Sequence, residues 1–371
     1  MKYYIIAGEA SGDLHGSNLV HQLHKKDPAA NIRCWGGNLM QAEGATLVKH
    51  YKELAFMGFV EVILNLRTIL KNLKFCKADI AAYQPDVLVL IDYPGFNIKV
   101  AEWAKEQGMK VVYYISPQVW AWKEKRVHTI KKCVDRMLVI LPFEQDYYKR
   151  FDYQVDYVGH PLVEVIERFK SGEQQPLHTD KKVIALLPGS RKQEISKKLP
   201  IMLAVSEAFP DYQFIVAGAP GQEDAFYKPF MAPYHNVSLL SNQTYRLLNQ
   251  SAAALVTSGT ATLEAALFGV PEVVCYKGNP ISYAIAKRVI KIKYISLVNL
   301  IMDKPVVTEL IQHDLTTANC IAELQSLLQN PARRQQVQQD YDALRALLSL
   351  GGHASANAAQ IVYNTATAAT R

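Results

Sequence analysis

Residues 3–24 read YYIIAGEASGDLHGSNLVHQLH. A short apolar run, Tyr3–Ala7, is followed by a loop, Gly8–Asp13, and then by a helical pattern, Leu14–His24. An apolar strand, a glycine-containing loop and a helix in this order are typical of a parallel sheet that is covered by helices on both faces. The stretch therefore predicts an α/β fold with a doubly wound sheet.

The same alternation recurs along the chain and divides it into two halves. The further strands it predicts are Val87–Ile91, Val111–Ile115, Met137–Leu141, Val155–Val158, Val183–Leu187, Gln213–Ala217, Val237–Leu240, Ala253–Thr257 and Glu272–Tyr276. A polar stretch with glycine and proline, Ser171–Lys182, separates the halves, as domain linkers do. We predict one Rossmann-like domain over residues 1–170, a second over 171–345 and a C-terminal helical segment over 346–371.

Length and composition exclude several classes of protein. The 371 residues are 49% hydrophobic and 20% charged, which excludes wholesale disorder and supplies apolar material for two cores. Apolar runs such as Met137–Phe143 are far shorter than the roughly 18 residues of a membrane-spanning helix, and the start lacks the pattern of a secretion leader. We therefore expect a cytoplasmic protein. The 41 Lys and Arg outnumber the 34 Asp and Glu, and the five cysteines are too widely spaced for a zinc or redox motif.

The first loop carries two acids that are candidates for contact with a sugar. The loop contains Gly8 and Gly12, and Gly16 follows it. These three glycines do not have the G-x-G-x-x-G spacing of a dinucleotide site. Glu9 and Asp13 would repel a pyrophosphate but can accept hydrogen bonds from sugar hydroxyls. Alternatively, Asp13 only caps the following helix and the glycines only make the turn.

Asp92 is the candidate general base of the first half. It follows the predicted strand Val87–Ile91 directly, so its carboxylate is expected at the carboxyl end of a parallel strand, where it can accept a proton from a hydroxyl. The alternative is that Asp92 only caps the next helix.

Two turns of the second half are candidates for binding a diphosphate. Ser190 and Arg191 follow a predicted strand, and a guanidinium beside a flexible turn can neutralise phosphates with forked hydrogen bonds. The alternative is an Arg191 that is merely exposed to solvent. The second turn precedes a helix whose start attracts anions, and its candidates are Ser258, Gly259, Thr260 and Thr262. Glu264 suits a ribose diol, or else it complements the dipole of that helix.

A mixed apolar and basic stretch in the first half is a candidate membrane or acyl-chain site. Its apolar members are Phe56, Met57, Phe59, Val62, Ile63 and Leu66. Its cations, which helical spacing places on one face, are Arg67, Lys71, Lys74 and Lys77. The pattern suits an interfacial helix on anionic lipid and equally an amphipathic helix packed on the core. A second cationic and aromatic cluster, Trp120–Arg126, is not accompanied by an RNA-binding motif, and we expect no nucleic-acid partner.

Taken in order, the motifs of this chain resemble those of the lipid-A-disaccharide synthase family. The matching stretches are GEASGD (8–13), MQAEG (40–44), MGFVEV (57–62), PDVLVLID (85–92), YISPQVWAWKEKR (114–126), LPFE (141–144), VGHP (158–161), LLPGSRKQEI (186–195), TSGTATLE (257–264) and SLVNL (296–300). Two positions depart from the family pattern: Gly95 stands where a second acid is usual, and Val298 replaces a common proline.

The resemblance implies a GT-B architecture of two Rossmann-like domains facing a cleft, with C-terminal helices crossing back to the first domain or swapped in a homodimer. It implies an inverting glycosyltransferase that joins UDP-2,3-diacylglucosamine to 2,3-diacylglucosamine 1-phosphate (lipid X) through a β-1′,6 linkage, without a metal, at the inner face of the inner membrane. Asn299 is then expected near the donor, and Gly8, Ser11, Gly12 and Asp13 are expected to orient the sugars. Glu9 is a second candidate for the base. The alternatives are a UDP-sugar 2-epimerase and a protein that binds sugar nucleotides without catalysis.

Overall fold

The chain divides into two compact units. The structure, a computed structural model, describes residues 1–54, 66–279, 283, 288 and 292–368. The first unit is Met1–Pro161 with Leu348–Arg371, and the second is Leu162–Leu347.

The first unit is built on a seven-stranded parallel sheet in the order β3-β2-β1-β4-β5-β6-β7. Its strands and helices up to β7 are β1 (Lys2–Ala7), α1 (Ala10–Lys26), β2 (Asn31–Gly36), α2 (Asn38–Ala42), β3 (Thr46–His50), a 3₁₀ turn (Tyr51–Glu53), α3 (Leu66–Tyr83), β4 (Val87–Ile91), α4 (Pro94–Glu106), β5 (Val111–Tyr114), α5 (Arg126–Cys133), β6 (Arg136–Val139), α6 (Glu144–Lys149) and β7 (Asp156–Tyr157).

Helices cover both faces of this sheet. Along β1, Tyr3 and Ile5 lie in the core that contains α1, whereas Tyr4 and Ile6 lie in the core that contains α4 and α5. All four side chains are fully buried. A strand buried on both faces needs a continuous apolar run, which explains why Tyr3–Ala7 predicts it correctly.

The second unit repeats the plan with six parallel strands in the order β10-β9-β8-β11-β12-β13. Its elements are α7 (Pro161–Ser171), β8 (Lys182–Leu187), α8 (Lys192–Ala204), a 3₁₀ turn (Val205–Ala208), β9 (Tyr212–Gly218), α9 (Asp224–Met231), β10 (Val237–Ser241), α10 (Thr244–Leu248), β11 (Ser251–Thr257), α11 (Thr260–Phe268), β12 (Glu272–Tyr276), α12 (Leu297–Met302), β13 (Thr308–Ile311), α13 (Thr317–Gln329) and α14 (Pro331–Ser349). The doubly wound fold predicted for each half is therefore confirmed.

The polar stretch predicted as the linker between the domains is a loop of the second unit. The division falls at the first residue of α7, whereas the predicted boundary after residue 170 falls at the end of that helix. The loop is held by side chains of its own unit, because Arg246 donates to the carbonyls of Gln175 and Pro176 at 3.0 and 2.6 Å. Its polar composition reflects exposure at the surface of the unit.

The last helix, α15 (Ala354–Thr367), belongs to the first unit. Its apolar residues Ala358, Ala359 and Val362 share a core with α1 and with β1 and β4. Gly351 and Gly159 approach so closely that a Cβ on Gly351 would lie 2.3 Å from the Gly159 nitrogen. The chain therefore returns to its starting unit through a contact that only glycine fits.

Candidate active site

In each sheet there is one pair of neighbouring strands from which the chain connections run to opposite faces of the sheet. The candidate residues lie at the carboxyl ends of these two pairs. In the first unit the pair is β1 and β4, whose last residues, Ala7 and Ile91, are paired. The chain runs from β1 into α1 on one face and from β4 into α4 on the other. Doubly wound sheets bind ligands at such a point. Glu9 and Asp92, which follow the two strands, are thereby brought to the same edge.

The backbone around Asp92 is held in an unusual conformation. Asp92 and Tyr93 both have positive φ, at 44° and 49°, which costs energy for residues other than glycine. Three hydrogen bonds hold the Asp92 peptide: its N–H donates to the Tyr114 carbonyl at 3.1 Å, and its carbonyl accepts from the Asn97 amide at 2.8 Å and from the Tyr113 phenol. This backbone conformation fixes the position of the Cα atom from which the Asp92 side chain extends.

The environment of Asp92 adjusts its acidity. The pKa of the Asp92 carboxyl is raised to about 6, first by burial and then by the negative charge of Glu9, while a hydrogen bond from the Tyr93 backbone acts in the opposite direction. A carboxylate with a pKa near neutrality accepts a hydroxyl proton more readily than one with an ordinary pKa.

Replacing Glu9 with glutamine removes the neighbouring charge and is expected to lower the pKa of Asp92. Because a general base works only when deprotonated, kcat/KM of the wild type should fall below about pH 6. In Glu9→Gln this fall should move to lower pH, as a pH profile of kcat/KM would show. Glu106→Gln, an exposed change at the end of α4, is the control and should leave the profile in place. An unshifted profile in Glu9→Gln would contradict the coupling, and loss of turnover at every pH would make Glu9 the base.

Gly8 is required by the packing of Tyr93. A Cβ at Gly8 would lie 2.3 Å from the nearest atom of the Tyr93 ring. A Cβ at Gly12 would lie 3.0 Å from that of Ala7, on the strand below. Both glycines therefore let the loop and α1 approach the sheet closely. Ser11 lies exposed at the start of α1 and remains a candidate for contact with a sugar.

Asp13 has a structural role that its sequence position does not reveal. Its carboxylate is 3% exposed and accepts backbone N–H groups from Gly37, Leu39 and Met40 at 2.7–3.1 Å. Asp13 caps α2, which is distant in sequence, and does not cap α1, whose first turn contains it. Because α2 occupies its oxygens, we leave Asp13 out of the set proposed to contact the sugar.

In the second unit the connections diverge between β8 and β11, and a cavity of about 460 Å³ opens there. The residues that line it are Leu187, Gly189, Ser190, Arg191, Glu194, Ala217, Ala219, Pro220, Thr244, Thr257, Ser258, Gly259, Thr260, Ala261 and Glu264. The structure thus brings together both turns that the sequence predicts as diphosphate sites.

The start of α11 supplies backbone donors to this cavity. Gly259 precedes the helix at φ 147° and no side chain caps it, so the first N–H groups of α11 are available to an anion. The Ser258 hydroxyl donates to the Ile295 carbonyl at 2.8 Å, which fixes the loop from behind. Thr260 is exposed beside them.

Arg191 lines the same cavity and has an exposed guanidinium. Its side chain is 61% exposed, and its nitrogen lies 3.8 Å from an oxygen of Glu194. Such an exposed ion pair is weak, so the guanidinium can turn towards a stronger anion. Gly189 has φ 117°, and a Cβ there would lie 2.8 Å from the Glu194 carboxylate. Glu194 therefore packs beneath the turn that carries Arg191.

Two residues that sequence reasoning missed belong to this site: Thr257 lines the cavity, and Tyr245 contacts Glu264, which lines it. The hydroxyl of Tyr245 donates to one oxygen of Glu264 at 3.0 Å, which leaves the second oxygen of that half-buried carboxylate for a ligand. The pKa of Glu264 is raised by burial, and the Tyr245 bond acts in the opposite direction. Thr257 is 8% exposed, and its hydroxyl has no hydrogen-bond partner among the described residues. The position of Thr257 at the end of a predicted strand could have indicated that it is a site residue.

Thr262 and Asn299 do not line the cavity. Thr262 is fully buried and its hydroxyl donates to the Gly259 carbonyl at 2.8 Å. The Asn299 amide exchanges hydrogen bonds with the backbone of Val307 and donates to Glu309 at 3.0 Å. Both side chains use their polar atoms within the unit, so they support the loops around the cavity.

Part of the candidate membrane site lies on α3. Its apolar members Phe56, Met57, Phe59, Val62 and Ile63 lie outside the described residues. Leu66 and Leu70 are each 50% exposed, and Arg67, Lys71 and Lys74 are exposed beside them. Lys77 is half-buried, with its ammonium over the ring of Trp103. No helix within the described parts of the chain is long and apolar enough to cross a membrane.

Comparison with known sequences gives matches over nearly the whole chain. A family model described as lipid-A-disaccharide synthetase matches residues 3–363. The lipid-A-disaccharide synthase of Syntrophus aciditrophicus is 39% identical over 360 residues, which cover 94% of each chain. That of Coxiella burnetii is 37% identical over 368 residues, or 97% of each chain. The similarity therefore includes both units.

Solved structures share the fold. UDP-GlcNAc 2-epimerase from Neisseria meningitidis, bound to UDP-GlcNAc, superposes with a TM-score of 0.67 at 14% identity, covering 98% of this chain and 99% of that one. The calicheamicin glycosyltransferase superposes with a TM-score of 0.61 at 18% identity, covering 98% and 97%. Identities this low show the fold alone, and that fold is of the predicted GT-B type.

Proposed function

The chain belongs to the lipid-A-disaccharide synthetase family of glycosyltransferases, and we propose that it joins UDP-2,3-diacylglucosamine to 2,3-diacylglucosamine 1-phosphate. In this proposal the products are UDP and a disaccharide 1-phosphate with a β-1′,6 linkage. The observation that carries the proposal is the Asp92 carboxyl, half-buried near Glu9 at the edge of the first sheet with a pKa of about 6. A single base of this kind is what an inverting displacement requires.

The proposed reaction is one displacement. Asp92 accepts the proton of the acceptor 6-hydroxyl while that oxygen bonds to the anomeric carbon of the donor. The bond from this carbon to the diphosphate breaks, and UDP leaves with the electron pair from the opposite face. Because the acceptor oxygen attacks the face opposite the leaving UDP, the anomeric configuration is inverted. Glu9 remains the second candidate for the base, and in either case Glu9 and Ser11 orient the sugars.

We place UDP in the cavity of the second unit. Arg191 and the N–H groups at the start of α11 face the negative charge that develops on the diphosphate, and preorganised donors of this kind stabilise a leaving group. Thr257 offers a hydroxyl from within the cavity, and Ser190 lines the same wall. The free oxygen of Glu264 accepts a ribose hydroxyl. We propose that these groups act without a metal ion.

The direct test is to incubate the protein with both acylated glucosamines and to analyse the products by mass spectrometry. The expected result is one disaccharide 1-phosphate for each UDP released. Release of UDP without a disaccharide would contradict the proposed transfer and indicate a 2-epimerase type of reaction. Tight UDP binding without any turnover on these substrates would likewise overturn it.

We also propose that α3 holds the protein on anionic membrane at the inner face of the inner membrane, where its acylated substrates reside. Reversing Arg67, Lys71 and Lys74 to glutamate should lower binding to phosphatidylglycerol vesicles by about 100-fold, because each cation near an anionic surface contributes about 1 kcal/mol. Vesicle co-sedimentation measures this. The matched control reverses three exposed lysines of the same unit, Lys25, Lys26 and Lys149. Equal loss of binding in both variants would assign the effect to net charge instead of α3.

A further inference from the structure

Residues 122–126, here called the basic segment, follow the strand that neighbours the candidate base. The segment follows β5, which pairs with β4 so that Tyr114 is opposite Ile91. The N–H of Asp92 donates to the Tyr114 carbonyl at 3.1 Å. The chain that leaves β5 therefore starts beside Asp92 and leads into the basic segment.

The residues before the basic segment are anchored to the core. The Ser116 hydroxyl shares a hydrogen bond of 2.7 Å with the Tyr148 phenol, and both groups are buried. The Trp120 indole donates to the fully buried Glu144 carboxylate at 3.3 Å. These contacts place the basic segment on a rigid support, which favours a binding role over a mobile surface loop.

Residues 122–125 of the basic segment are exposed to solvent, and Arg126 is half-buried. Trp122 is 47% exposed, and the Lys123 ammonium lies 4.1 Å from the centre of its ring. Lys123 has φ 59°, a conformation that costs energy for lysine. The Arg126 N–H donates to the Lys123 carbonyl at 2.9 Å, and this turn brings the two cations close together.

These cations have no carboxylate partner within the described parts of the chain. The acid of the segment, Glu124, lies 3.5 Å from Arg150 instead. No carboxylate among the described residues lies within 4.0 Å of Lys123, Lys125 or Arg126. Partial burial, and then the charge of Arg126, lower the pKa of Lys123. Adjacent cations without a counter-charge form a site that an anion of high charge would stabilise.

The anion that fits this position is a phosphomonoester. It carries close to two negative charges at neutral pH, which matches a site with more than one cation. We propose that the basic segment binds the C1 phosphate of the acceptor sugar, with the Trp122 ring against the sugar or its acyl chains. This inference rests on the proposed function, because it needs an acceptor whose 6-hydroxyl is at Asp92 and whose phosphate is on C1, across the ring oxygen from the carbon that carries the 6-hydroxyl arm.

Lys123→Ala and Arg126→Ala, measured separately, test the site through acceptor selectivity. The readout is kcat/KM for 2,3-diacylglucosamine 1-phosphate divided by kcat/KM for the same sugar without the phosphate. Each variant should lose about 10-fold or more of this ratio, since a hydrogen bond to a charged group contributes about 1.5–3 kcal/mol. The donor KM should stay unchanged. Lys132→Ala removes an exposed cation from α5, the helix that begins at Arg126. This control variant should retain the wild-type ratio.

A binding measurement separates failure of this site from failure of the proposed function. Phosphorus NMR of soluble glucosamine 1-phosphate should show broadening with the wild type and none with either variant, whether or not the protein makes a disaccharide. Broadening that is equal in all proteins, or a selectivity ratio equal to that of the wild type, would overturn the site. Loss of binding to phosphatidylglycerol vesicles with unchanged selectivity would assign the cations to lipid headgroups and likewise overturn it.

Discussion

Asp92→Asn should reduce kcat by about 10²–10⁴-fold, the range that a positioned general base contributes. Asparagine has the shape of aspartate but cannot accept the hydroxyl proton. Because the proposed UDP cavity is built from residues of the second unit, UDP affinity should stay within about twofold of the wild type. Turnover is measured by UDP release with saturating substrates, and affinity by calorimetry with UDP.

Asp86→Asn is the matched control for this change. Asp86 precedes β4, whereas Asp92 follows it, so the two carboxylates lie at opposite ends of one strand. Asp86 is exposed and accepts the backbone N–H of Lys2 at 2.7 Å, a bond that asparagine can also accept. The control should keep full activity. Near-normal turnover of Asp92→Asn would remove Asp92 from the mechanism.

The stability of Asp92→Asn distinguishes a lost base from a damaged fold. The pKa of Asp92 is raised from 3.8 to about 6 in the folded chain, so the folded state binds more protons than the unfolded state between these values. Stability of the wild type should therefore decrease as pH rises from about 4 to 6. Asparagine avoids this loss, and the variant should unfold at a higher temperature than the wild type at pH 8 but not at pH 4. Lower stability at pH 8 would indicate structural damage.

Arg191→Ala should lower kcat/KM for the donor by about 10²–10³-fold, as expected when one preorganised group that stabilises developing charge is lost. The same change should weaken UDP binding and leave the acceptor KM unaffected. Arg191→Lys should recover part of the loss, because lysine keeps the charge but not the forked donors.

Lys197→Ala serves as the control for Arg191. Lys197 is an exposed cation on α8, which begins directly after Arg191, and it does not line the cavity. Its removal changes net charge by the same amount and should leave donor kinetics intact. Donor kinetics that are unchanged in Arg191→Ala would exclude contact with the diphosphate.

Most strands could be predicted from their apolar runs, including the edge strands β7 and β10, whereas β2, β3 and β13 could not. Val87–Ile91 and Glu272–Tyr276 have the bounds that their apolar runs predict. No such run predicts β2, which contains Asn31 and Arg33, or the edge strands β3 and β13. A strand with one partner or a partly exposed face tolerates polar residues, so its apolar pattern is interrupted.

Candidate site residues were predictable where their position along the chain sets their role. Residues directly after a parallel strand must lie at the carboxyl edge of the sheet, which is where Asp92, Arg191 and Ser258 are found. Asp13 and Asn299 were different, since their partners are backbone groups on other elements of the fold. Nothing local distinguishes a carboxylate that binds a sugar from one that caps a remote helix.

Local patterns in the chain were sufficient to predict the alternation of strands and helices and the turns that follow the central strands. They were also sufficient to identify the resemblance to one family. Folding added the properties that depend on residues far apart in sequence. The pKa of Asp92 depends on burial and on Glu9, which the pairing of β1 with β4 brings to the same edge. The three cations of the basic segment have no carboxylate within 4.0 Å among the described residues, since Glu124 lies against Arg150. Hydrogen bonding and electrostatics act through space, so their outcome is set by which elements pack together.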